Sequence, residues 1–145
     1  MLFKSVAIAS DHAGYELKET VKKFLGSVGL EVKDFGPYSN ESVDYPDFAV
    51  KAAQAVQKSE AEIGIVICGS GIGVSISANK VTGIRAALCA DAERACLARQ
   101  HNNANVLALG ARFTSEIAAL DSVKAFINTE FEGGRHIKRV EKIHS

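Results

Sequence analysis

The feature that most constrains the fold is the run "EIGIVIC" (62–68), which carries no charged or amide side chain from Ile63 to Cys68. A strand with one face in water alternates apolar and polar residues. A strand that is apolar throughout is buried on both faces, as in parallel sheets covered by helices on each side. Around this run, apolar stretches alternate with amphipathic ones. "SVAIAS" (5–10), "EVKDFG" (31–36), "IRAALCA" (84–90) and "NVLALGAR" (105–112) read as further strands. Leu17, Val21, Phe24, Leu25 and Val28 recur at helical spacing, and Gly29 closes that helix. "DYPDFAVKAAQAVQKS" (44–59) has an acidic first turn and an early Pro46, both features of a helix start. "GVSISANKV" (73–81) and "DAERACLARQHN" (91–102) are the next helices. The long one at 114–131 has Thr114 as N-cap and Ile117, Leu120, Val123 and Ile127 on one side.

Strands alternating with helices of this length imply β-α-β units with right-handed crossovers. The expected architecture is α/β, a five-stranded parallel sheet with helices on both faces. An extra basic helix follows at 135–145, docked on this domain or reaching a neighbouring subunit. At 145 residues the chain is expected to form one domain, 1–145, large enough to need no disulfide or metal staple.

Charge and cysteine content narrow the function. Seventeen basic residues balance seventeen acidic ones, which argues against a general nucleic-acid or anionic-membrane binder. Cys68, Cys89 and Cys96 are odd in number and without paired spacing. With neither a charged leader nor a long apolar stretch at "MLFKSVAIAS", the expectation is a cytoplasmic protein with free thiols.

In such a sheet, chemistry gathers in loops beyond the C-terminal strand ends. Those loops are "SDHAG" (10–14), "CGSGIG" (68–73) and the segment around Arg112, with "RQHNN" (99–103) added as an odd case at a helix C-terminus. The loop Gly69-Ser70-Gly71-Ile72-Gly73 is neither the dinucleotide fingerprint nor a P-loop, because its third glycine comes one position early and no glycine-lysine-hydroxyl triplet ends it. Alternating glycines still let backbone N–H groups converge at a helix N-terminus, where negative charge is favoured. The bland alternative is a tight strand-to-helix turn.

Cys68 abuts that loop. An ordinary cysteine is only about 3% thiolate at neutral pH, and helix-end N–H groups raise that fraction. A phosphatase nucleophile fails on one residue, since the required arginine position is Val74. A general base beside an oxyanion cradle remains open, as does a small buried hydrophobe, the reading adopted for Cys89 and Cys96. Ser77 and Lys80 match a serine-x-x-lysine pattern by chance. Asp11-His12 and His101-Asn102 are catalytic or hydrogen-bonded structural pairs, and histidine spacing offers no metal site. Arg135 and Arg139 are four apart after Gly133-Gly134, either as a phosphate clamp or as a solvated basic tail.

Taken together, "SDHAG", "DYP", "ICGSGIGVSISANK", "RQHNNANVLALGAR" and "FEGGRHIKRV" resemble the ribose-5-phosphate isomerase B family, whose relatives include the subunits of galactose-6-phosphate isomerase. The resemblance spans about residues 5–140. It implies a Rossmann-like three-layer α/β/α sandwich and a homodimer or dimer of dimers with shared active sites. The implied reaction is cofactor-independent interconversion of ribose 5-phosphate and ribulose 5-phosphate. By the same resemblance Cys68 is the base, because the glutamate used by one branch of the family is Val74 here. Ser70 keeps the hydroxyl of a common threonine. The backbone of Gly69, Ser70, Gly71, Ile72 and Gly73, with Asn102, holds the enediolate oxygen. His101 assists ring opening, Asp11 binds sugar hydroxyls or the ring oxygen, and Tyr45 lines the sugar site. His12, Arg112, Arg135 and Arg139 hold the phosphate. Galactose-6-phosphate isomerase subunits each lack part of this set, whereas this chain carries all of it. A hexose 6-phosphate (allose or galactose) substrate, or a phosphosugar-binding module without turnover, stands as the alternative.

Overall fold

A computed structural model describes residues 1–144 of the chain. The elements run β1 (Ser5–Ser10), α1 (Tyr15–Ser27), β2 (Glu31–Asp34), α2 (Tyr45–Gln57), β3 (Ile63–Cys68), α3 (Ile72–Asn79), β4 (Ala86–Leu88), α4 (Ala92–Asn102), β5 (Val106–Gly110), α5 (Glu116–Asn128) and α6 (His136–Ile143). The five strands are parallel and ordered β2-β1-β3-β5-β4. This is the expected α/β sandwich, Rossmann-like, with helices on both faces. The chain turns outward on either side of β1 and crosses over β5 to reach β4, so the ends of β1, β3 and β5 lie together at the centre.

The doubly buried strand behaves as its composition demands. Ile63, Ile65 and Ile67 point into a core shared with α1, α4 and α5, where Leu25, Val123 and Phe126 are fully enclosed. Val66 and Cys68 point into a second core built on alanines, Ala49, Ala52 and Ala53 of α2 and Ala78 of α3. Large side chains fill the first layer, and small ones let α2 and α3 sit close to the sheet in the second. Each enclosed Ile or Leu contributes about 1.5–3 kcal/mol of apolar burial.

Several local expectations need correction. The N-cap of α5 is Ser115, whose hydroxyl accepts from Ala118 N–H, rather than Thr114. Ile117 is 76% exposed, because α5 buries Ala119, Ser122, Val123, Phe126 and Ile127 instead. Val28 is exposed as the C-cap of α1, while Lys18 on the same helix is fully buried. Its ammonium reaches both Asp34 oxygens at 2.8 and 2.7 Å and the Pro37 carbonyl at 2.7 Å. A buried lysine on an apolar face is tolerated only with such partners. β4 is three residues long: Arg85 N–H bonds the Asn105 side chain before it, and Cys89 N–H makes the last bond to β5, at the Ala108 carbonyl. The C-terminal helix covers 136–143 with Arg135 at its N-cap, and Ser145 lies outside the described residues.

Candidate active site

β3 ends at Cys68, and three backbone bonds fix the loops around it. Asp11 N–H donates to the Ile67 carbonyl at 3.1 Å, Ala111 N–H to Cys68 at 2.9 Å, and Arg112 N–H to Gly69 at 2.9 Å. The loops after β1, β3 and β5 are therefore stitched into one rim. Between them opens a cleft of about 520 Å³, lined by Asp11, Tyr45, Cys68, Gly69, Ser70, Ile72, Gly73 and Arg112, all anticipated, and by Ile76 and Phe113, which were not. Phe113 and Ile76 are 80% and 57% exposed, a rim of apolar surface that no motif marks.

The thiol is buried, with Cys68 4% exposed, yet it borders this cleft. Gly71 N–H donates to its Sγ at 3.2 Å. Gly71 adopts φ +78, and a Cβ there would stand 2.5 Å from the Leu88 side chain and 2.8 Å from the Leu109 carbonyl carbon. Only glycine can aim that N–H at the sulfur without strain. Ile72 N–H is also committed, donating to Ser70 Oγ at 3.1 Å. Two of the loop donors thus organise the base and the hydroxyl. Gly73 matters by its size, because a Cβ there would meet the Tyr45 ring at 2.5 Å.

Asp11 is 7% exposed and accepts from Gly14 N–H at 3.0 Å. His12 Nδ1 accepts from Val43 N–H at 3.2 Å, which leaves its Nε2 as the proton-bearing nitrogen of the neutral ring. Val43 lies in the 36–44 loop, whose start is tied to the Lys18–Asp34 cluster: Gly36 N–H donates to Asp34 Oδ1 at 2.8 Å. Burial pushes the Asp34 carboxyl up, but hydrogen bonds from Lys18, Lys22 and Gly36 outweigh it and hold Asp34 below the usual carboxylate range. Cys89 is different chemistry: burial and nearby Asp91 push its thiol up to about 11, so it stays protonated at neutral pH.

Of the expected site residues, His12, Gly71, His101, Asn102, Arg135 and Arg139 do not line the cleft. The "RQHNN" segment leads into the N-terminal end of β5, at the opposite end of the strands from Cys68, because α4 runs antiparallel to them. Asn102 there borders a separate groove of about 650 Å³ together with Arg85, Ile143 and His144. His101 stacks on His136, ring centroids 4.5 Å apart and planes 14° from parallel. Glu132 Oε1 stands 3.5 Å from His136 Nε2 and 3.9 Å from His101 Nε2. Loss of hydration and the Arg135 and His101 charges lower the His136 pKa. Arg135 and Arg139 are exposed on α6. Gly133 and Gly134, at φ +69 and +55, form the turn that starts this helix. Glu132 and His136 had no signal in the sequence beyond their four-residue spacing.

The described residues include no helix long and apolar enough to cross a membrane. Residues 6–143 match the model of the family described as Ribose/Galactose Isomerase. The ribose-5-phosphate isomerase B of Escherichia coli (strain K12) is 46% identical over 140 residues, covering 97% of this chain and 94% of that one. Among solved structures, ribose-5-phosphate isomerase B of Clostridium thermocellum superposes with a TM-score of 0.96 at 54% identity, covering 97% and 95% of the two chains. The enzyme of Thermotoga maritima gives 0.95 at 52% identity, covering 97% of each. With its motifs, its sheet order and nearly its whole length matched in this way, the chain belongs to the ribose/galactose isomerase family.

Proposed function

We propose that this chain interconverts ribose 5-phosphate and ribulose 5-phosphate, with Cys68 as the base. The observation that carries the reading is the Cys68 sulfur at the cleft wall, accepting a hydrogen bond from Gly71 N–H. That bond fixes the sulfur at the cleft wall. The thiolate takes the C2 proton of the open-chain aldose, the C2–H electron pair moves into the C1–C2 bond, and the C1 carbonyl becomes an enediolate oxygen. Transfer of the O2 proton to O1 and return of a proton from the base to C1 complete the ketose. Base catalysis supplies about 10²–10⁴ in rate, and each well-aimed donor to the oxyanion about 10²–10³. Gly71 N–H serves the sulfur, so the oxyanion falls to the neighbouring loop amides and the Ser70 hydroxyl. Asp11 and Tyr45 bind the sugar, and His12 and Arg112 sit on the phosphate side.

The other half of the machinery comes from a second copy of the chain. His101 for ring opening, Asn102 for the oxyanion, and Arg135 and Arg139 for the phosphate lie away from their own cleft. The apolar rim of Ile72, Ile76, Leu88 and Phe113, each at least 42% exposed, suits a partner surface. A homodimer, alone or paired into a dimer of dimers, brings the halves together. Neither nucleic acid nor membrane enters this reading, no cofactor takes part in it, and a single domain in the cytoplasm is its setting.

NMR with ribose 5-phosphate in deuterated water tests the base. The unaltered protein forms ketose and exchanges the C2 proton, and Cys68→Ala slows that exchange by about 10²–10⁴ while phosphosugar binding persists. Exchange at the unaltered rate in the variant would remove the thiol from the mechanism. The family description, which names galactose beside ribose, favours a second reading on a six-carbon phosphate. The ratio of kcat/KM between pentose and hexose phosphates separates the two.

A further inference from the structure

Histidine spacing along the chain shows no metal motif, yet folding gathers two imidazoles and a carboxylate at the α4–α6 edge. Single ligand atoms of His101, Glu132 and His136 all lie within 4.8 Å of one another. The backbone holds them there. Glu132 N–H donates to the Gln100 carbonyl at 3.0 Å, which ties the carboxylate beside His101 at the end of α4. His136 N–H donates to the Gly133 carbonyl at 3.0 Å, so Glu132 and His136 face each other across one turn.

The second observation is an orphan. His136 is 5% exposed, and its Nε2 is buried with no hydrogen-bond partner. Folded proteins rarely leave such an atom unsatisfied. This one points at the Glu132 oxygen that also faces His101. Two imidazoles and one carboxylate are the donor set that zinc-class ions take, with a fourth position left open. Hard ions such as magnesium and calcium prefer all-oxygen shells. Drawing the three atoms to bonding distance, about 2.0–2.2 Å from the ion, asks for movement chiefly of the half-exposed His101 and Glu132 side chains.

We propose that His101, Glu132 and His136 bind one zinc-class divalent ion per chain, and that the bound ion silences the isomerase by occupying His101 Nε2. The second clause rests on the ring-opening role given to His101 above, and the first does not. An imidazole whose Nε2 lone pair is bound to metal can neither accept nor deliver a proton there, so ring opening loses its carrier.

The test uses the whole protein, dialysed against chelator and titrated with Co²⁺. Visible ligand-field bands should saturate at one equivalent per chain without a thiolate-to-cobalt charge-transfer band. Glu132→Gln and His136→Asn should each weaken Co²⁺ binding by on the order of tenfold or more. Should His136→Asn fail to fold, Glu132→Gln alone decides, because that side chain is 47% exposed. Zn²⁺ should slow isomerisation by the unaltered protein in step with occupancy and spare Glu132→Gln. Unchanged affinity in Glu132→Gln, no bands at millimolar Co²⁺, or a thiolate band would each overturn the site. Binding with full isomerase activity would overturn only the inhibitory clause, and would count against His101 rather than against the cluster.

Discussion

The strand-end cleft and the α4–α6 edge are built in opposite ways. The cleft is a backbone construction: three loops are stitched by amide–carbonyl bonds of 2.9–3.1 Å, and its thiol is almost wholly covered. The edge is a side-chain construction, in which a stacked histidine pair, a half-exposed glutamate and two exposed arginines stand on helix ends. Rigid amides suit a group that must meet a carbon-bound proton at fixed distance. Long cationic side chains in water suit capture of a phosphate. The cleft offers the thiol with Arg112, and the edge a histidine pair with two further arginines, a division that fits the proposed site shared between two copies of one chain.

The largest expected effect breaks the division directly. Cys68→Ala and His101→Asn should each lower isomerisation by about 10²–10⁴ as pure proteins. Unfolded together, mixed and refolded, they should recover about a quarter of the unaltered activity, because random pairing makes half the dimers mixed and one site in each is intact. No recovery, from chains shown by mass to have exchanged, would place both residues in one subunit's site.

Next in size is the buried charge between α1 and the end of β2. Asp34→Asn leaves the fully buried Lys18 ammonium with only the half-exposed Glu19 carboxylate, 3.5 Å away, at a cost of about 3–5 kcal/mol of folding free energy. Glu132→Gln at the half-exposed edge should cost less than about 1 kcal/mol. Urea melts of the two variants give the contrast. The sign with pH follows from Asp34 being held below its ordinary value. Its contribution is fully present above the unfolded carboxylate pKa of about 4 and is lost as pH falls through the folded value. The Asp34→Asn protein should therefore show a shallower loss of stability on acidification than the unaltered one. An unchanged acid limb would mean the cluster contributes nothing to it.

The two regions also differed in how far the sequence revealed them. β3 and the glycine loop were legible because burial on both faces and a strand-to-helix turn are local demands written in consecutive residues. The fold class followed from the same alternation. The placing of β5 between β3 and β4 was not legible, since both orders satisfy the same periodicities. Lys18 was missed because a lysine on an apolar face is read as the edge of that face until Asp34 and the Pro37 carbonyl are seen around it. The grouping of His101 with Glu132 and His136 depends on how the 129–135 segment returns past the end of α4, a tertiary event with no periodic signal. Ile76 and Phe113 read as ordinary apolar residues until the cleft between their elements is formed.

The smallest effect compares one substitution in both regions. Gly71 and Gly134 both have positive φ, +78 and +55, and alanine there pays the left-handed backbone cost of about 1–2 kcal/mol in each case. At Gly134 nothing lies within 4 Å of an added Cβ, so that cost is the whole effect and isomerisation should hold near its original rate. At Gly71 the Cβ also strikes Leu88 and the Leu109–Gly110 backbone, at 2.5–2.9 Å. The loop must move, and its N–H leaves the Cys68 sulfur. Gly71→Ala should therefore lose more stability than Gly134→Ala in the same melt, and should lose activity out of proportion to stability. Activity lost only in proportion to stability would show that the aim of the Gly71 amide at the sulfur does not matter to the reaction.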